Sequence, residues 1–462
     1  MTTSKLTAPL LLGIAGTIGF NVLPILLGYG MPMNFLFVLY AGTMFILSFA
    51  DRRVLGYATV LAACNPANQQ ANLSFSFLLA VLTIFKESRA VLRVIRRLGK
   101  RRWWWLLLAA FLLIGLSVPF WPSALRSMMT EVKQALSRLG YLVAFPLAVG
   151  LTVRTRPDGV RVVSLLCLMS VAFFVVFFFW GQTGMVTYST IEGSAQIGVE
   201  QFIGNIPLNF VRTQVCIILA ALTAGTLALG VGIGLKLRAI PLYLASCICV
   251  FMVMQLASVG SAFALVGGIG ITALGYFGIR LSPRRILLGV IIFAIVGSAL
   301  FWVTFGSENA LSNRINSKFS AGEIDRMVFW EDGFREIWKT PFGVGWSYRA
   351  GHSDWQLFLL SYGWPTGLLY IAAAGSLFLS IWRALRRHRT AVYRESITLL
   401  LVGLAVLSVY FINSVLDMLS ANIGYYETVW ALILTSATVV VVTDGAERAT
   451  RSNGSSPLSF NP

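Results

Sequence analysis

The sequence predicts an all-α fold, a polytopic transmembrane helix bundle of about 12–14 spans with a long extracytoplasmic loop that carries short helices. Three observations predict it. The 462 residues are 57% hydrophobic and only 12% charged, with a mean hydropathy of +0.78. Soluble chains carry about 25% charged residues, and no single soluble core could hide this much apolar surface. Apolar runs of bilayer length recur along the whole chain, and lysine and arginine cluster in alternate connections between them. The five cysteines (Cys64, Cys167, Cys216, Cys247, Cys249) nearly all lie inside apolar runs and form no CxxC pair, so they read as small core hydrophobes.

A helix crosses a bilayer with about 20 apolar residues. Runs of this kind fall at 6–28, 34–50, 54–68, 71–85, 103–120, 139–153, 160–182, 211–235, 240–259, 262–279, 286–305, 355–382, 396–416 and 427–443. The third is the weakest, because Asn65, Pro66, Asn68, Gln69 and Gln70 interrupt it. The first is too long for the core of a signal peptide and reads as an uncleaved span. Four segments follow from the pattern: an N-terminal transmembrane bundle (1–305), a hydrophilic loop (306–354), C-terminal transmembrane helices (355–443) and a polar tail (444–462).

Orientation follows from the basic residues. Lys5, Arg52-Arg53, the run from Lys86 to Arg102, Arg154 with Arg156 and Arg161, Lys236 with Arg238, Arg280 with Arg284 and Arg285, Arg383 to Arg394, and Arg448 with Arg451 hold 26 of the 36 bases but only 6 of the 18 acids. All of these fall on one set of loops. The expectation is a multi-pass membrane protein with both termini and the basic loops in the cytoplasm. The net charge of +18 is then topogenic, which removes nucleic acid as a partner.

Four segments are expected on the outer side. Trp121 to Arg138 reads as an interfacial helix with Trp121, Leu125, Met128, Val132 and Leu136 on one face. Residues 183–210 read as a polar loop, and residues 417–427 as a short connection. The loop 306–354 carries six bases, seven acids and one of the two histidines. Within it, Arg326 to Trp338 reads as an amphipathic helix with Trp330, Phe334 and Trp338 at four-residue steps. The turn Pro341-Phe342-Gly343-Val344-Gly345 should end it.

His352 stands just before Ser353-Asp354-Trp355-Gln356, a capping-box pattern at the start of the next span. The partial positive charge of a helix start disfavours imidazolium, which leaves a neutral imidazole able to accept a proton, with Asp354 near enough in sequence to orient it. The same pattern also fits a solvent-exposed histidine beside an ordinary cap. Arg314, Arg326 and Arg349 either face water and neighbouring acids or hold an anion, since the guanidinium fork suits diphosphate. Arg212 lies at the outer end of an apolar span, where it either snorkels to headgroups or binds substrate.

The stretch from Asp325 to Tyr370 reads Arg326-Met-Val-Phe-Trp330, then Pro341-Phe-Gly-Val-Gly345, His352-Ser-Asp354, Tyr362-Gly363 and Gly367. This order, over about 45 residues, resembles the signature of the O-antigen ligase and O-antigen polymerase superfamily. Gly204-Asn205-Ile206-Pro207-Leu208-Asn209 before Arg212 is similar to the family's asparagine-containing segment. The resemblance implies a metal-independent membrane glycosyltransferase without cofactors. It would move a glycan from an undecaprenyl-diphosphate carrier to another glycan or to lipid A–core, alongside other polysaccharide assembly proteins. It further implies that His352 assists the incoming hydroxyl and that Arg212 and Arg326 hold the diphosphate, while membrane lipid surrounds a groove for the polyprenyl tail. Arg314 or Arg349 would supply a further contact. Two departures stand out: His352 is followed by Ser353 rather than asparagine, and Ser258-Val259-Gly260-Ser261 lacks the arginine of a ligase Ser-Arg pair. The second favours polymerase over ligase. A multi-span transporter or flippase is the alternative from another class, although few ionisable residues stand deep in a span. A catalytically silent scaffold is a third.

Overall fold

The computed structural model describes residue 42 and residues 45–64, 75–121, 124–182, 189–190, 197–203, 206–234, 236–256, 258–280, 325–346, 353–387, 394–416 and 423–452. Fifteen α-helices account for most of them: α1 (Arg52–Leu61), α2 (Phe75–Lys86), α3 (Ser88–Leu98), α4 (Arg102–Ser117), α5 (Ala124–Ala135), α6 (Tyr141–Thr152), α7 (Arg156–Gln182), α8 (Arg212–Ile233), α9 (Ile240–Leu256), α10 (Val259–Arg280), α11 (Asp325–Lys339), α12 (Asp354–Tyr362), α13 (Trp364–Arg387), α14 (Arg394–Leu416) and α15 (Ile423–Ser452). Among the described residues, eight helices are long and apolar enough to cross a membrane, and two shorter apolar helices accompany them. The protein is an all-α polytopic bundle. The expected spans 6–28 and 286–305, and nearly all of 34–50, lie outside the described residues.

The helix ends alternate, so the starts of α4, α7 and α14 and the ends of α6, α8, α10, α13 and α15, which carry or adjoin the basic clusters, share one end of the bundle, called here the basic end. The starts of α8, α12 and α15 fall at the other, the far end. Burial sorts the spans into two layers. The apolar stretches of Met128–Thr152, Gln214–Ile233, Arg394–Val415 and Tyr426–Asp444 are 83–94% buried, against 33–44% for the other four. The first group forms the centre, where α8 packs on α14, α14 on α15, and α15 on α6. The second group turns residues such as Leu112, Leu116, Leu244 and Phe251 outward, as a lipid-facing surface requires.

Four expectations change. The segment Trp121 to Arg138 is not a separate interfacial helix. α5 runs through a π-helical turn (Leu136–Gly140) directly into α6, because no proline stands between Ala124 and Tyr141 to stop it. The supposed apolar face divides, with Trp121 fully buried and Met128 exposed. The described part of residues 183–210 is an antiparallel meander, β1 (Ser189–Thr190), β2 (Ile197–Ile203) and β3 (Ile206–Val211), with Ile203 paired to Ile206 across a two-residue connection. The span 355–382 is two helices broken at Gly363, and α15 continues nine residues past 443 into the polar tail. The five cysteines are free thiols, four of them buried.

Candidate functional site at the far end

The motif-bearing segments meet at the far end. α11 spans Asp325–Lys339, as the periodicity of Arg326 to Trp338 predicts. Its exposed side carries the pairs Glu331–Arg335 (3.0 Å) and Glu336–Lys339 (2.8 Å). It docks through Ile337, which packs with Val344, Leu359 and Leu360, and through Gly333, where a Cβ would stand 2.9 Å from the Gln356 amide nitrogen. Trp338 stays exposed at 6.5 Å from the Trp364 ring and Phe334 is exposed as well, so these two aromatics face away from the contact.

The Pro341–Gly345 turn interlocks with the break between α12 and α13. Val344 N donates to Leu360 O (3.0 Å) and Gly345 N to Ser361 O (2.9 Å), which satisfies two carbonyls at the end of α12. Gly363 has φ +86° and ψ 152°, a region open essentially to glycine alone. A Cβ there would stand 2.4 Å from Pro341 O, and one on Gly343 would stand 2.5 Å from Gly363 N. The two glycines therefore need each other. Trp121 secures the turn by donating from Nε1 to Phe342 O (2.7 Å), and Phe120 stacks on Phe342 at 4.8 Å.

Behind the turn lies a buried polar cluster that the sequence did not reveal. Glu131 Oε2 accepts from Trp346 N at 2.6 Å, and both residues are fully buried. The Arg138 guanidinium lies 3.5 Å from the Trp346 ring centroid and donates to the Gln134 side chain. Glu131, Gln134 and Arg138 follow one another at three- and four-residue steps. That polar stripe in an apolar run was the available signal.

α12 begins as the capping pattern predicts: Ser353 Oγ accepts from Gln356 N at 3.1 Å. Asp354, its first residue, is fully buried. A file of tyrosine hydroxyls from three other helices ends on it. Tyr426 donates to Tyr370 (3.5 Å), Tyr370 and Tyr410 share a 2.5 Å contact, and Tyr410 hydrogen-bonds the Asp354 carboxylate. The Phe358 ring stacks on Tyr370 at 4.1 Å and fixes it. These tyrosines stand 40 and 16 residues apart and read in the sequence as ordinary span aromatics.

Of the expected site residues, Asp354 is placed in full. Arg212 is the first residue of α8 and Arg326 the second of α11, while their side chains, together with all of Arg314, Arg349 and His352, lie outside the described residues. At the start of α10, Ser258 and Ser261 hydrogen-bond each other at 3.1 Å. A groove of about 150 Å³ opens between α8, α10 and α14, lined by Leu227, Ala228, Ile269, Tyr276, Leu401 and Ala405 among others and almost wholly apolar. It begins 12 residues along α8 from Arg212, roughly 18 Å toward the basic end. No protein-family model matches the chain, and no curated protein matches it either.

Proposed function

We propose that the chain is a glycosyltransferase of the bacterial inner membrane, with its far end on the extracytoplasmic side. It would polymerise, in preference to ligating, glycans carried on undecaprenyl diphosphate during assembly of a surface polysaccharide. The observation that carries this reading is the interlock of the Pro341–Gly345 turn with Gly363. The two motif elements that resemble the O-antigen ligase and polymerase signature are packed against one another, directly beside the helix whose start follows His352.

In this reading the acceptor hydroxyl attacks the anomeric carbon of the donor sugar and gives its proton to neutral His352. The bond from that carbon to the diphosphate oxygen breaks, and the lipid diphosphate leaves with the electron pair. Arg212 and Arg326, with Arg314 or Arg349 as further contacts, neutralise the anion, which is electrostatic stabilisation where charge develops. Asp354, tied to Tyr410, keeps the start of α12 fixed so that the base is presented in one place. The apolar groove beside α8 would take part of the polyprenyl tail.

A transporter or flippase remains the second reading. One observation favours it: Glu131, Arg138, Asp354 and Glu427 are all fully buried, more ionisable groups than the sequence suggested. The first three are held by internal partners at the far end, which fits a fixed frame better than a carrier.

Deletion of the gene followed by glycan analysis tests the proposal. A polymerase loss leaves single repeat units on the acceptor, a ligase loss leaves polymer on the carrier, and a flippase loss leaves carrier-linked units on the cytoplasmic face. His352→Ala should reproduce the deletion with the protein still at its normal level in the membrane. Retained polymer in that variant removes His352 from the mechanism.

A further inference from the structure

A second polar recess lies at the basic end, independent of the proposed activity. It measures about 380 Å³ and opens where α1 begins and where α2 and α6 end. Because these are the termini of apolar helices, the recess sits at the depth where a bilayer changes from hydrocarbon to headgroups. Arg52, Arg53, Lys86 and Arg154 supply its positive charge, and Asp51, Glu87 and Asp158 its negative charge.

Each acid is already engaged. Glu87 forms a two-point pair with Arg52, with Nε to Oε1 and Nη2 to Oε2 both at 2.7 Å. Asp51 caps α1 by accepting from Arg53 N, and Asp158 accepts from Thr155 Oγ1 at 2.7 Å and faces Arg161 at 3.7 Å. Lys86 is engaged as well, donating to Ser48 O and Ala50 O. Arg53 and Arg154 make no ion pair among the described residues. Partial burial, and then the charges of Arg52, Arg93 and Arg97, lower the Arg154 pKa below its ordinary value, while Glu87 offsets this in part. The recess therefore holds two guanidinium groups without an ion pair among the described residues, and like charge crowds Arg154. Phe49 and Phe85 directly precede the lining residues Ala50 and Lys86, Phe45 meets the Phe49 ring at 5.2 Å, and all three rings are largely exposed.

We propose that this recess binds the phosphate headgroup of an anionic phospholipid. The Arg53 and Arg154 guanidiniums would bracket the phosphate oxygens, and the exposed phenylalanines would lie along the acyl chains. A soluble phosphate would satisfy the same guanidiniums. The headgroup depth and the apolar rim favour the lipid.

The full-length protein, purified in detergent and offered equal amounts of dioleoylphosphatidylglycerol and dioleoylphosphatidylcholine, should retain the anionic lipid about tenfold better by native mass spectrometry. The Arg53→Gln/Arg154→Gln variant should lose that preference, and Arg53→Lys/Arg154→Lys should keep most of it. If the double glutamine variant does not fold, the two single glutamine variants carry the same comparison. Millimolar inorganic phosphate should leave the retained lipid in place. Equal retention of both lipids by the unmodified protein overturns the proposal, as does an unchanged preference in folded glutamine variants. Displacement by inorganic phosphate overturns the lipid assignment in favour of a soluble anion.

Discussion

Guanidinium groups meet opposite circumstances at the two ends of this bundle. At the far end Arg138 is buried, lies flat on Trp346, and shares its surroundings with Glu131, which holds the Trp346 amide. At the basic end Arg154 is exposed, has no ion pair among the described residues, and is surrounded by Arg52, Arg93 and Arg97. Some arginines there do tie helices together: Arg156 to Asp444 at 2.9 Å, Arg97 to Val442 O, and Arg394 to Gly232 O. Yet the end as a whole carries more positive charge than its acids can match. A buried charge is tolerated only where its partners are fixed, so the far end must hold one geometry. The basic end can leave charges unmatched because water, salt and headgroups complete them. Rigidity is concentrated where the proposed chemistry needs placement.

The largest effect should come from the far end. Glu131→Ala leaves the buried Trp346 N–H without its acceptor and removes a negative charge from beside a buried guanidinium. Losing one partner from such an arrangement costs about 3–5 kcal/mol. The apparent thermal midpoint in detergent should fall steeply, with the variant poorly represented in the membrane fraction. Glu131→Gln keeps an oxygen for the Trp346 amide and should fall less. Equal midpoints for the two variants would show that the amide bond, and not the charge, matters little here.

Gly363→Ala comes next. The backbone there has φ +86°, and the added Cβ would stand 2.4 Å from Pro341 O, a backbone atom held by the turn itself. Strain in that region costs about 1–3 kcal/mol, and the turn must also shift. Proteolysis should then cut the segment between α11 and α12 faster than in the unmodified protein. An unchanged digestion pattern would mean that the interlock does not hold the turn.

These two variants touch different kinds of residue, and the difference explains how much was legible in the sequence. Spans such as 103–120, 211–235 and 396–416 match α4, α8 and α14 within three residues, because long apolar runs leave few alternatives in a bilayer. Gly343 was legible as punctuation and Ser353 as a cap, since backbone geometry writes itself locally, whereas the break at Gly363 was hidden inside an apolar run of span length. The tyrosine file and the Glu131–Arg138–Trp346 cluster were not legible. Tyr370, Tyr410 and Tyr426 come from three helices, and Trp346 lies 215 residues from Glu131, so only tertiary packing brings each set together. The interfacial reading of Trp121 to Arg138 failed for a related reason. A cation near a span end reads as surface unless its aromatic partner is known, and that partner sits far along the chain.

The smallest effect should be opposite in sign. Arg154→Gln removes a guanidinium that its neighbours repel, and no ion pair among the described residues is lost with it. The change is an exposed one, so its magnitude stays within about 0.5 kcal/mol. In lipid-free detergent at low salt the apparent midpoint should therefore rise slightly, where Glu131→Ala and Gly363→Ala lower it. Repulsion between exposed charges is screened over about 30 Å at 0.01 M salt but about 3 Å at 1 M, so the gain should fade as salt is added. A salt-independent rise would point to packing instead of charge. A fall at low salt would mean that Arg154 is already compensated, and the contrast between the two ends of the bundle would lose its electrostatic basis.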